Sequence, residues 1–291
     1  MTPGPDRARA AHPSALAAGG DEGAGLVEAL RAAGCVFAEE EAAVLRSTAA
    51  GPAALAALLA RRMAGEPLEQ VVGWAAFDGL RIPVAPGVFV PRQRSVLLVE
   101  LALGAMPRPG VVVDLCCGTG ALGAALAARA PGPVEVHAAD LDPVAVRCAA
   151  RTLAPWHGRA HRGDLFRALP GGLRGRVDVL VVNAPYVPTG AIALMPPEAR
   201  LHEPRTALDG GPDGLALHRR VATGAPDWLA PGGVLLLETS AAQAEGTAGA
   251  VRAAGLRATV HTDPERDATA VVGVMTVGER PDRTRSGTPT S

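Results

Sequence analysis

The chain has 291 residues, 48% of them hydrophobic, and a formal net charge of −1, which is ample apolar material for one or two domains and no basic footprint for capturing nucleic acid or a membrane surface. All 28 basic residues are arginine, so there is no lysine for a Walker P-loop or a Schiff base, and ordinary P-loop kinases and pyridoxal enzymes are excluded. Cys35, Cys116, Cys117 and Cys148 lack Cys-x-x-Cys spacing and suggest neither zinc nor a disulfide framework; reduced thiols, no signal-peptide core and no run of about 18 apolar residues fit a cytoplasmic chain with no membrane span.

Residues 1–23 are rich in Ala, Pro and Gly without periodicity and read as a disordered tail. Leu26, Val27 and Leu30, then Val44 and Leu45, then Leu55, Leu58, Leu59 and Met63 recur at helical spacing, broken at Gly34 and at Gly51-Pro52. This predicts a small helical domain of about three helices over 24–70. The runs 71–77 and 80–84 flank Asp78-Gly79, a strong hairpin signal, and 71–90 reads as a hairpin linking two domains. Pro91-Arg92 then leads through Gln93-Arg94-Ser95 into an apolar helix over 96–105, which by itself suggests no more than a cap.

From there strands and helices alternate. Strands are expected over 111–115, 134–138, 160–162, 177–182 and 234–237, and helices over 121–130, 143–153, 215–229 and 241–254. Alternation of this kind means βαβ units around a parallel sheet. A final pair of strands over 258–261 and 270–277 has no helix between them and reads as an antiparallel hairpin at the sheet edge, before a polar tail over 278–291.

The first strand of the alternation runs into Asp114-Leu115-Cys116-Cys117-Gly118-Thr119-Gly120-Ala121-Leu122-Gly123, a Gly-x-Gly-x-x-Gly pattern with Asp140 at the next strand end. Glycines let a ligand approach the backbone, a helix N-terminus favours an anion, and Asp140 can accept from ribose hydroxyls. Asp114 would repel a pyrophosphate but suits a ligand with an ammonium group, which favours S-adenosylmethionine over a dinucleotide. Asp164, in Gly163-Asp164-Leu165-Phe166, is placed to meet an adenine amino group or to cap the next turn.

The strand over 177–182 ends in Asn183-Ala184-Pro185-Tyr186, at the edge where open α/β sheets place their ligands. The Asn183 side-chain carbonyl and the Ala184 backbone carbonyl could hold one NH2 group while Tyr186 stacks on the plane that carries it. A strand closed by a proline turn, with Tyr186 as packing, reads equally well from the tetrapeptide alone. Cys116 and Cys117 are small loop residues rather than nucleophiles, and His137, His157, His161, His202, His218 and His261 show no metal-ligating spacing.

Arg92 in Phe89-Val90-Pro91-Arg92, the loop from Asp114 to Gly120, Asp140, Gly163-Asp164-Leu165-Phe166, Asn183-Ala184-Pro185-Tyr186 and Glu203-Pro204-Arg205-Thr206-Ala207-Leu208-Asp209-Gly210-Gly211 together resemble the protein N5-glutamine methyltransferases, over about residues 25–277. The resemblance implies an α/β fold: a Rossmann-like seven-stranded S-adenosylmethionine-dependent methyltransferase sheet over 91–277, behind a helical N-terminal domain that recognises the substrate. It implies methylation of a glutamine side-chain nitrogen in the Gly-Gly-Gln loop of a peptide-chain release factor by a monomeric enzyme that does not bind nucleic acid. It places Asn183 and Tyr186 in catalysis and Asn183, Ala184, Pro185 and Tyr186 around the substrate amide. Arg92, Asp114, Cys116, Cys117, Gly118, Thr119, Gly120, Asp140, Asp164, Leu165 and Asn183 are implied at the cofactor.

Two departures from the family pattern point to a paralogous branch. Ala184 stands where the family usually has the first proline of Asn-Pro-Pro-Tyr, and Gln93-Arg94-Ser95 replaces Pro-Glu-Thr, exchanging a carboxylate for a cation. The runner-up is a DNA adenine methyltransferase, which uses a similar element on another planar NH2; net charge and the lack of a DNA-reading insert stand against it. A non-catalytic S-adenosylmethionine-binding protein ranks third.

Overall fold

The computed structural model describes residues 20–106, 110–196, 200–201 and 203–276. The two expected tails and His202 lie largely or wholly outside the described residues. Four helices open the chain: α1 (Gly20–Ala32), α2 (Ala38–Thr48), α3 (Pro52–Met63) and the short α4 (Leu68–Val72). Leu26, Leu30, Ala38, Ala42, Leu45 and Val71 form their shared core, and the partly buried pair Arg62–Glu41 (2.6 Å) ties α3 to α2.

The hairpin is shorter than the apolar run 71–77 suggested. Val71 and Val72 belong to α4, which Gly73 ends in the left-handed region at φ 79°. β1 (Trp74–Phe77) and β2 (Leu80–Pro83) then pair antiparallel across Asp78 and Gly79, at φ 47° and 76°. Two consecutive positive φ values are what a tight hairpin of right-handed twist requires, which is why Gly follows Asp there.

After α5 (Val96–Ala105) come β3 (Gly110–Leu115), α6 (Ala121–Arg129), β4 (Val134–Asp140), α7 (Pro143–Leu153), β5 (Arg159–Arg162) and β6 (Val177–Val182). The last described elements are α8 (Ala216–Gly224), β7 (Leu229–Thr239), α9 (Ala244–Ala253), β8 (Arg257–Asp263) and β9 (Ala268–Val274). The sheet order is β5-β4-β3-β6-β7-β9-β8; the first five strands are parallel, and β9 runs antiparallel between β7 and β8. The helix expected over 215–229 stops at Gly224 because Pro226 cannot continue it, and β7 starts five residues early, Leu229 pairing with Val177 across an irregularity.

Five of the six residues of β6 have buried side chains, Val177, Val179, Leu180, Val181 and Val182 at 0% exposure. That burial on both faces is what a β-branched, nearly uncharged run in the middle of a parallel sheet is suited to. One apolar layer packs α5, α6 and the linking hairpin on one face, and the other packs α8 and α9 on the opposite face. From β3 the chain proceeds outward to β4 and β5, then returns to the other side of β3 as β6. The reversal leaves a crevice at the carboxyl ends of β3 and β6, where both sequence motifs emerge. Among the described residues no helix is long and apolar enough to cross a membrane.

Candidate active site

A cavity of about 990 Å³ opens over that crevice. Its floor contains Cys116, Cys117, Gly118 and Thr119 after β3, Asp140 after β4, Asp164 and Leu165 after β5, and Asn183, Ala184, Pro185 and Tyr186 after β6. Arg92, Arg94 and Ser95 line one side; Phe37, Glu40, Val44 and Arg62 bring the helical domain to the rim. Residues separated by up to about half the chain thus face one space because parallel strands deliver their C-terminal loops to one edge.

Cys116 (φ 58°) and Gly118 (φ 51°) turn the loop after β3 sharply. Gly120 (φ 75°) meets α7 so closely that a Cβ there would lie 3.0 Å from the Ala149 Cα, so a side chain is excluded by space as well as by conformation. Asp140 accepts from the Gly118 N–H and the Asp142 N–H, each at 2.9 Å, which fixes its carboxylate at the lip of the cavity. Burial pushes that carboxyl above its ordinary range, against the pull of those two N–H groups. Burial also pushes the Cys116 and Cys117 thiols up, so neither is a nucleophile at neutral pH.

Asp114 and Gly120 do not line the cavity. Asp114 is 1% exposed, its Oδ2 accepts from the Gly123 N–H at 2.9 Å, and its Oδ1 has no partner among the described residues. Burial raises its carboxyl to about 8. It sits behind the loop and holds the start of α6 through the Gly123 N–H. Asp164 does face the cavity, with Arg220 of α8 donating to its Oδ2 at 2.6 Å.

The segment 203–214 returns over the site. Arg92 pairs with Glu203, which is buried, and Asp209 takes the Thr189 hydroxyl (2.6 Å) and the Gly211 N–H (3.0 Å). A Cβ on Gly210 would stand 2.7 Å from the Tyr186 Cα, so only glycine lets this strap lie on the Tyr186 backbone. Pro204, Thr206, Ala207 and Leu208 then form part of the cavity wall. The long connection after Tyr186 is thus a wall of the cavity.

Of the groups that hold Tyr186 and Asn183, Arg94 and Ser95 stood out in the sequence only as a departure from the family pattern, and Glu238 and Gln243 did not stand out at all. Glu238, at the end of β7 and 2% exposed, accepts from the Ser95 hydroxyl, from the Tyr186 hydroxyl (3.2 Å) and from Arg94 Nε (3.1 Å). Arg94 Nη2 also donates to the Tyr186 hydroxyl (2.9 Å), and Asn183 Nδ2 donates to Ser95 Oγ (3.2 Å). Gln243 Nε2 donates to the Tyr186 carbonyl at 2.8 Å. The cation at position 94 is therefore the partner of a buried carboxylate on the neighbouring side of the sheet. Burial opposes its charge, but Tyr186 and Glu238 outweigh that and raise its pKa.

Behind the Tyr186 ring, at 6.2 Å between centroids, lies the fully buried His218, whose Nδ1 meets Thr247 Oγ1 at 2.9 Å while Nε2 has no partner among the described residues. Burial lowers its pKa to about 4. Because the folded value lies below the unfolded one of about 6.5, the unfolded chain takes up the proton first, and stability is lost as pH falls from about 6.5 to about 4. The loss amounts to on the order of 3 kcal/mol. Urea unfolding of wild type against His218→Gln across this window is expected to show the wild type's advantage shrinking as pH falls; an unchanged difference would refute the burial cost.

Among the described residues no cluster of His, Cys, Asp and Glu could hold a metal ion. Residues 80–213 match the family model described as methyltransferase small domain. The release factor glutamine methyltransferase of Cereibacter sphaeroides is 40% identical over 270 residues, covering 90% of this chain and 94% of that protein. A 4-amino-L-phenylalanine/4-methylamino-L-phenylalanine methyltransferase of Streptomyces pristinaespiralis is 39% identical over 202 residues, covering 67% of this chain and 68% of that protein. Among solved structures, a methyltransferase from Pyrococcus furiosus superposes with a TM-score of 0.51 at 16% identity, covering 75% of this chain and 98% of that one, a likeness of fold alone.

Proposed function

The chain belongs to the family of release factor glutamine methyltransferases, and from that premise we propose that it methylates the side-chain nitrogen of the glutamine in the Gly-Gly-Gln loop of a peptide-chain release factor. It is an S-adenosylmethionine-dependent protein-(glutamine-N5) methyltransferase. The observation that carries the choice of an amide acceptor is the orientation of Asn183: its NH2 is spent on Ser95, which leaves its Oδ1 as an acceptor beside Ala184 in the cavity wall.

The residues present fit the cofactor. Asp140 is pinned at the lip by two N–H groups and keeps lone pairs for ribose hydroxyls, since a carboxylate has about four acceptor sites. Gly118 leaves open space where a side chain would project: the nearest atom would lie 3.9 Å from a Cβ at that position. Asp164 and Leu165 offer an acceptor and an apolar surface for an adenine, and a cavity of about 990 Å³ leaves room for an acceptor side chain as well. S-adenosylmethionine, when bound, supplies the electrophilic methyl group.

An amide nitrogen is a weak nucleophile because its lone pair is delocalised into the carbonyl. Asn183 Oδ1 and the Ala184 carbonyl accept its two N–H bonds, aim the nitrogen, and favour the positive charge that grows on it during transfer. The Tyr186 ring covers the amide plane and excludes water. Tyr186 does not act as a base: burial foremost, then the Glu238 charge, push its hydroxyl above the ordinary phenol range. The proton leaves to water after transfer.

Substrate choice falls to the helical domain, since the sheet and its loops are committed to cofactor and amide. Phe37, 65% exposed, and Glu40 present an apolar and an acidic contact at the rim for the body of the protein substrate. The enzyme works as a monomer in the cytoplasm on protein, not nucleic acid. Deleting residues 1–66 is expected to leave S-adenosylmethionine affinity within a few-fold by calorimetry while abolishing methylation of a release factor. Full activity of the truncated chain on that protein would refute the division of labour, and an inactive full-length chain would refute the substrate.

A further inference from the structure

The cluster of Ser95, Arg94 and Glu238 lies behind the amide clamp and has a direction. Glu238 is a carboxylate in contact with a guanidinium, so it only accepts. Ser95 Oγ must therefore give its single proton to Glu238, and its lone pairs are what remain for Asn183. An acceptor at Ser95 compels Asn183 to turn its NH2 inward and its Oδ1 outward, so the assignment of the two ends of that amide follows from the network. The same logic holds on the other side. Tyr186 donates its one proton to Glu238 and accepts from Arg94 Nη2, and its ring is fixed at the hydroxyl end as well as by its backbone.

We infer that Glu238, through Ser95 on one arm and through Arg94 and Tyr186 on the other, is the positioning residue that sets the polarity of the methyl-acceptor subsite. Ser95 transmits it to Asn183; Arg94 balances the buried charge and braces Tyr186. None of Ser95, Arg94 or Glu238 touches the acceptor nitrogen. Without the inward partner, Asn183 can present either end of its amide to the substrate, and an NH2 end repels an NH2 substrate. Arg94, which stands where the family usually has a carboxylate, is in this chain the cation that meets Glu238.

Tyr186 is the single tyrosine of the chain, so tyrosinate absorbance reports this network without any methyl acceptor. The rate measurements rest on the glutamine reading; the titration does not. In the full-length protein, Glu238→Gln removes the anion beside the Tyr186 hydroxyl and is expected to move the titration to lower pH by about one unit or more. Ser95→Ala should leave the titration in place and lower kcat on the Gly-Gly-Gln substrate by about ten- to a hundredfold, with KM for S-adenosylmethionine within about twofold of wild type. Ser95→Thr restores the hydroxyl and the rate. A tyrosine curve unmoved in Glu238→Gln, or wild-type kcat in Ser95→Ala, overturns the inference. Shifted curves in a protein that does not methylate a release factor would uphold the network and refute the substrate.

Discussion

Asn183→Ala is expected to lower the turnover of glutamine methylation by on the order of a hundred- to a thousandfold, the usual cost of losing one preorganised contact to charge that develops in a transition state. Asn183 stands at the end of the most deeply buried strand, and its NH2 is already occupied by Ser95. The group lost to the substrate is therefore the Oδ1 acceptor. Cofactor affinity should change far less, because Asp140 and the loop after β3 are untouched. Ala184→Pro is the matching control: it restores the usual family residue and keeps the carbonyl, so the rate should equal or modestly exceed wild type. Single-turnover measurements with labelled cofactor separate the two outcomes, and wild-type turnover in Asn183→Ala would mean that the clamp is not at work.

Asp140→Ala should weaken S-adenosylmethionine binding on the order of a hundredfold. Hydrogen bonds to a charged acceptor contribute roughly 1.5–3 kcal/mol each, and a carboxylate that loses one or two of them with a ribose moves the dissociation constant by about that factor. The change also frees the Gly118 N–H, which Asp140 holds at 2.9 Å, and so loosens the loop that the cofactor would cover. Calorimetric titration of both proteins gives the comparison directly. Equal affinities, or tight binding of NAD with none of S-adenosylmethionine, would remove the cofactor assignment for this loop.

The parallel sheet was legible because its signals are local. β6 is a short β-branched run, α7 has Asp142 capping at Val144 (2.8 Å) with Pro143 behind it, and the Gly118 and Gly120 turns sit between a strand and a helix. What was not legible depends on partners far along the chain. Val71 and Val72 look like strand residues, yet the contacts of α4 with the helical domain prevail over β propensity. Glu238 reads as the polar end of a strand until the fold brings Ser95 and Arg94 to it from 143 and 144 residues away. Asp114 carried a ligand signal in its sequence position, and the structure turns it inward to Gly123. A charge on a strand can point either way, and only the packing of α6 decides which.

The most direct test of the glutamine reading is to locate the transferred methyl group. Full-length protein, labelled S-adenosylmethionine and an unmethylated release factor are incubated together, and the product is digested and sequenced by tandem mass spectrometry. The label is expected on the side-chain nitrogen of the glutamine in the Gly-Gly-Gln loop and to be absent when Asn183→Ala replaces the wild type. Label on an aromatic amine, on nucleic acid, or on a release factor at any other residue would contradict it.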